Sequence, residues 1–154
     1  MKPIGLLIHH LHLLHRQKLN VVFQELDLTS SQAFTLIHVI KACRRKELIC
    51  QKDIEKAMEI SNPTVTGILN RLEQKELIIR VPGKTDARVK NIIVTDKALD
   101  LEKVLRRKFS EVEQDLLSCF NDEQIQQFHI MLERVVNSHD EAVMMEPKFC
   151  KGDD

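Results

Sequence analysis

The chain has 154 residues, 43% of them apolar and 30% charged, with 23 basic side chains against 23 acidic ones. That length suits one domain with a helical extension, and a core that needs no disulfide to hold it. No stretch approaches the about 18 uninterrupted apolar residues of a membrane helix. The opening MKPIGLLIHHLHLLHRQK is broken by four histidines and lacks a small-residue cleavage site, so it does not read as a signal peptide.

The balanced charge hides an asymmetry. Residues 1–109 carry 20 Lys/Arg against 12 Asp/Glu, a balance of +8, and residues 110–154 carry 3 against 11, a balance of −8. A basic body with an acidic tail suits a protein that meets phosphate with one face only. Cys43, Cys50, Cys119 and Cys150 show no CxxC spacing. They read as reduced thiols of a cytoplasmic protein.

From Ile4 to Leu26, apolar residues recur at helical spacing: Leu7, Ile8, Leu11, Leu14, Val21, Val22 and Leu26. Thr29 or Ser30 then caps a second helix, about Ser31 to Cys43. It is apolar on most sides, and burial is expected. Gln51 to Met58 reads as a short helix with Ile54, Ala57 and Met58 inward. Ser61 caps the next, Asn62 to about Lys75, with Pro63 in the first turn, where its missing N–H is not needed. Its core face is Val65, Ile68, Leu69 and Leu72; its other face is Thr64, Thr66, Asn70, Arg71 and Gln74.

Residues 77–81 (LIIRV) and 91–94 (NIIV) are the strand candidates, rich in the β-branched residues a pleated surface favours. Pro82 to Lys90 joins them through a basic, Gly-containing hairpin. Thr95 or Asp96 then caps a long helix to about Cys119, striped by Ala98, Leu101, Val104, Leu105, Phe109, Val112 and Leu116. Asn121 with Gln124 resembles a capping box, opening a last helix to about Val143 with Ile125, Phe128, Leu132, Val135 and Val136 inward.

This order predicts a mainly α fold with a small β-wing: a winged helix-turn-helix, which places one helix in the major groove of DNA. The expected division is a helical dimerisation region at 1–28 and 97–145, a DNA-binding domain at 29–96, and a flexible tail at 146–154. The terminal helices offer more apolar face than a small winged unit can cover. A second copy is the simplest partner to bury the excess, and two half-sites need two recognition helices.

Residues 61–78 (SNPTVTGILNRLEQKELI), then Asp86-Ala87-Arg88, then residues 92–98 (IIVTDKA) resemble the MarR family of winged-helix regulators, and the resemblance runs over nearly the whole chain. Two positions depart from the family pattern: Glu76, where a Gly usually ends the recognition helix in a left-handed conformation, and Ala98, where a Gly is frequent. The resemblance implies a homodimeric regulator, a repressor that blocks or redirects polymerase from a pseudo-palindromic operator. It also implies a small phenolic or lipophilic effector between the winged unit and the dimer helices. Arg16, Phe34, Ile37, His38 and Leu105 are the expected lining.

In the recognition helix, Asn62, Thr64, Thr66 and Asn70 are the expected face toward base edges, and Ser61 and Pro63 at its start belong to the expected DNA-binding set. Arg71 reaches phosphate or lies along the helix, and Gly67 leaves space for close approach to the groove. At the wing, Arg88 is expected in the narrow minor groove. Asp86 holds its guanidinium in the role the resemblance gives the D-x-R pair, while Lys84 and Lys90 contact phosphate.

Three competing readings come from the same residues. In the cluster His9, His10, His12 and His15, the pairs His9/His12 and His12/His15 lie three apart on one helical face and suggest a metal-responsive regulator, but no Cys or carboxylate completes a ligand set nearby. Cys43 and Cys50 flank Arg44-Arg45-Lys46, which could lower a thiol pKa and suggests a redox-responsive one. A winged unit can also serve protein–protein assembly with no specific DNA binding. No Gly-rich phosphate loop, G-x-S-x-G or HExxH is present, so an enzyme is not expected, nor a resident cofactor.

Overall fold

The computed structural model describes residues 1–83 and 88–139. The elements are α1 (Ile4–Glu25), α2 (Ser30–Arg44), β1 (Ile49–Cys50), α3 (Gln51–Met58), α4 (Asn62–Gln74), β2 (Ile78–Pro82), β3 (Lys90–Val94), α5 (Asp96–Leu116) and α6 (Asp122–Asn137). The sheet is antiparallel with order β1-β3-β2. Strand β1 is a correction to the sequence reading: its two residues pair Ile49 with Ile92 and Cys50 with Asn91. Two residues are too few to show a period. Helix α6 is described from Asp122 to Asn137, and Val143, its expected end, lies outside the described residues.

Local chemistry fixes most boundaries. The Thr29 hydroxyl accepts from the Gln32 N–H at 3.2 Å while the Gln32 amide oxygen accepts from the Thr29 N–H, a reciprocal capping box. Asn121 and Gln124 repeat it on α6, and Thr95 caps α5 through the Ala98 N–H. Ser61 occupies the cap position of α4, but its hydroxyl pairs with that of Thr64 at 2.9 Å and not with a backbone N–H.

Three helices end in one pattern without glycine. Asp27, Lys46 and Glu76 take positive φ (53°, 57° and 60°) just past α1, α2 and α4. In each case the next N–H reaches back five residues, Leu28 to Phe23, Glu47 to Ala42 and Leu77 to Leu72. A side chain there costs roughly 1–2 kcal/mol. At Glu76 the end of α4 is tied down twice more: the Thr95 hydroxyl donates to the Glu76 carbonyl at 2.8 Å, and Lys97 Nζ donates to the Lys75 carbonyl at 2.8 Å.

The core lies where α2 crosses the rest. Leu36, Val39 and Ile40 of α2 meet Ile54 of α3, Val65, Leu69 and Leu72 of α4, Ile78 of β2, and Ala98 and Leu105 of α5, all essentially without exposed surface. Phe23 of α1 packs edge-on against Phe34 and Phe109. Ala57, expected inward, is exposed; Ile54 alone is buried on α3, whose eight residues present too narrow a face to bury three. Among the described residues, one charged residue enters the core. Glu102 is 1% exposed and accepts from Arg44 Nη1 of α2 and Arg106 Nε, each at 2.9 Å. A carboxylate so deep needs such donors, and this pair ties α5 to the end of α2.

The apolar faces at the two ends of the chain are not covered. On α1 only Leu19, Val22 and Phe23 are buried, while Leu7, Ile8 and Leu14 are about half exposed. On α6 no residue is buried. Ile125 and Phe128 are half-buried, and Leu132, Val135 and Val136 face outward, the reverse of the expected inward placement. Helical spacing identifies an apolar face but not what covers it.

Candidate nucleic-acid interface

Helix α4 packs its Val65-Ile68-Leu69-Leu72 stripe on the core and so turns Ser61, Asn62, Pro63, Thr64, Asn70 and Arg71 outward, all exposed. Thr66 is half-buried. Gly67 is exposed, and a Cβ added there would meet nothing within 4 Å.

The polar side chains of this face are not all idle, because helix α3 holds part of them. Gln51 Nε2 donates to Thr66 Oγ1 at 2.8 Å and to Glu55 Oε1 at 3.0 Å. Asn62 Nδ2 donates to the same Glu55 oxygen at 2.6 Å. Gln51 and Glu55 lie one turn apart and face α4 together. Asp53, next to them, accepts from the Cys50 N–H at 2.8 Å; that backbone bond first, then the Cys50 thiol, holds its carboxyl below the ordinary carboxylate range.

The other end of the face is held from the sheet. Arg80 of β2 donates through Nη2 to Asn70 Oδ1 at 2.7 Å and through Nε to Glu73 Oε2 at 3.0 Å. Its hydrogen bond is the main reason the Glu73 carboxyl stays below its usual range. Arg71 Nη1 reaches Gln74 Oε1 at 3.4 Å, along the helix. Gln51, Glu55 and Arg80 are neighbours of this face to which the sequence alone assigns no such contact. Each lies seven or more residues from the side chain on α4 that it holds, and the contact exists only once α3, α4 and β2 are packed.

The wing leaves the sheet at Pro82 and returns at Lys90, and the Gly83 N–H donates to the Val89 carbonyl at 2.7 Å to close its base. Arg88 and Lys90 are exposed on the returning side. Lys84 and Asp86 lie outside the described residues, and with Asp86 the expected D-x-R pairing.

The expected effector residues fall in different surroundings. Ile37 and Leu105 are buried in the core, and the Phe34 ring stacks edge-on against Phe23 beside it. His38 is half-buried on α2, its pKa lowered first by that burial and then by Arg45 and Lys41. Arg16 borders a surface concavity formed by α1 alone, with Leu13, Gln17, Asn20, Val21 and Gln24. A second, between α1 and α5, is lined by Val21, Val22 and Val112 together with Lys18, Glu25 and Lys108. Among the described residues, no group of three His, Cys, Asp or Glu stands close enough to hold a metal ion. Cys43, Cys50 and Cys119 are free thiols.

The model of the MarR family matches residues 34–90, from the middle of α2 to the start of β3. The chain is similar to the HTH-type transcriptional regulator PecS of Dickeya dadantii, 32% identical over 123 residues, covering 80% of this chain and 74% of PecS. Among solved structures it resembles a single-site mutant of MepR from Staphylococcus aureus, with 29% identity, a TM-score of 0.81, and coverage of 89% of this chain and 98% of that one. It also resembles MepR in its DNA complex, with 29% identity, a TM-score of 0.67, and coverage of 90% and 99%.

Proposed function

This chain belongs to the MarR family of transcription regulators, and we propose that it is a sequence-specific repressor. It acts as a homodimer on a pseudo-palindromic duplex. One α4 enters each of two successive major grooves, and each wing reaches the flanking minor groove. The observation that carries this reading is the outward face of α4: short polar side chains from Ser61 to Asn70, set on a buried stripe and flanked by an exposed basic wing strand. Base edges are recognised by such side chains on a helix that a rigid core holds in place. MepR, similar over 90% of this chain, has been solved on DNA.

Ser61, Asn62, Pro63, Thr64, Thr66 and Asn70 meet the groove; Arg71, Lys84 and Lys90 meet phosphate; Arg88 enters the minor groove with Asp86 behind it. The second copy covers the apolar faces of α1 and α6. Repression is steric. A small phenolic or lipophilic effector alters the spacing of the two recognition helices, and it does so only by binding the two spacings with different affinity. The groove between α1 and α5, lined by valines and by charged side chains, is the first place to look for it.

The test is fluorescence anisotropy on DNA flanking the chain's own gene, at physiological salt with excess nonspecific competitor. Two protomers per site and competitor-resistant binding are expected, with Arg88→Ala weaker by about 1–3 kcal/mol and still dimeric. Binding no tighter than to random-sequence DNA, across genomic fragments, would refute the reading. An unchanged affinity for Arg88→Ala would remove the wing from it.

A further inference from the structure

We infer that Asn70 reads guanine and not adenine, because Arg80 holds its amide oxygen against β2 and leaves the amide nitrogen as the half to present; this rests on the reading of α4 as the recognition helix. A free Asn matches adenine in the major groove with both halves of its side chain, the oxygen accepting from N6 and the nitrogen donating to N7. Here the 2.7 Å contact from Arg80 Nη2 settles which half is which. A guanidinium has only donors, so the atom facing it must be the amide oxygen. The Asn70 amide nitrogen keeps both of its protons, and the residue is exposed. An amide that presents its nitrogen suits an edge with two adjacent acceptors, which is guanine O6 and N7. At adenine it gains one acceptor and meets the N6 amino donors head-on.

Arg80 is held for this task. It lies on β2, where its partner across the sheet is Ile92, and Glu73 grips the same guanidinium through Nε. A charged donor in a fixed fork is stronger than a neutral one, so the amide does not turn freely when DNA arrives. Arg80 is therefore a positioning residue for base choice. Asn62 is held in the opposite sense: a carboxylate only accepts, so the Asn62 nitrogen faces Glu55 and its oxygen is left for the groove.

The experiment is selection from a random duplex library with the full-length protein, sequenced for wild type, Asn70→Ala and Arg80→Met. Asn70→Ala should flatten one column per half-site and leave the others. In wild type that column should be a G·C pair, with guanine favoured over adenine about tenfold, the scale on which a good groove contact discriminates. Arg80→Met frees the amide oxygen, and the same column should move toward adenine. Adenine in the wild-type column would overturn the inference. So would an Asn70→Ala variant that weakens every sequence equally, since that marks a structural role. If Arg80→Met does not fold, the wild-type column still decides. Failure of the function proposed above looks different: no sequence is then enriched by the wild-type protein.

Discussion

In α4, Val65, Leu69 and Leu72 have no exposed surface, whereas in α6 Val135 keeps 59% of its surface and no residue is buried. Both helices are amphipathic and well capped at their starts or pinned at their ends. They differ in what the chain supplies opposite them. Helix α4 has α2, α3 and β2 to bury its stripe, and so its remaining face is fixed and can read a partner. Helix α6 and the first half of α1 have no such neighbours. An apolar face that wide, left to water, marks an interaction surface. The winged unit is complete in one chain, and the terminal helices carry the apolar faces that the proposed second copy would cover.

The largest expected effect breaks that contrast at its weak side. Deleting residues 122–154 should abolish a stable dimer in sedimentation while the winged unit keeps its cooperative unfolding. A dimer that survives the deletion would move the interface elsewhere. Next comes a matched pair of truncations, measured by urea unfolding at concentrations that keep protomers apart. Leu69→Ala, wholly buried in α4, should cost about 2–5 kcal/mol. Leu132→Ala, 41% exposed on α6, should cost roughly 0.5 kcal/mol or less in the protomer, as surface changes do. Equal costs would mean that α6 is packed within its own chain after all.

Much of this was legible in the sequence, for reasons that also mark where it stopped. The caps at Thr29, Thr95 and Asn121 and the α4 stripe depend on residues three or four apart, and spacing displays them directly. Glu102 was invisible because an apolar pattern counts no carboxylate, and its donor Arg44 lies 58 residues away. The hold of Glu55 on Asn62 and of Arg80 on Asn70 was missed for a similar reason. Sequence assigned those amides to a face, but their remaining hydrogen-bonding capacity depends on neighbours that only the packed fold supplies. The inward reading of α6 went wrong because a stripe looks the same whether its partner is in the chain or in another copy.

A smaller effect separates folding from function within α4. Gly67 costs the helix about 1 kcal/mol relative to Ala, and an added methyl meets nothing in the protomer. Gly67→Ala should therefore raise the melting temperature while weakening operator binding, because the methyl intrudes where the groove must approach. Tighter or unchanged binding in the anisotropy assay would show that Gly67 does not face DNA.

The smallest effect compares the two helix starts by pH. The start of α3 is held by a carboxylate, Asp53, accepting from the Cys50 N–H; the start of α6 is held by the neutral Asn121 and Gln124. The Asp53 pKa is lower in the folded chain than its ordinary value, mainly through that backbone bond. Its contribution is thus fully present above the ordinary carboxylate range and is lost as pH falls through the depressed folded value. Asp53→Asn should cost about 0.5–1 kcal/mol at neutral pH, on the scale of a capping interaction. The gap from wild type should narrow as pH drops below about 4, where the unfolded carboxylate begins to protonate. Asn121→Ala should show a similar cost with no such narrowing, provided it is read on the α6 helix itself, by amide exchange or circular dichroism of the dimer. A difference between wild type and Asp53→Asn that stays constant from pH 7 to pH 3 would mean that the carboxylate's charge plays no part in holding α3, the helix that in turn holds Asn62 and Thr66.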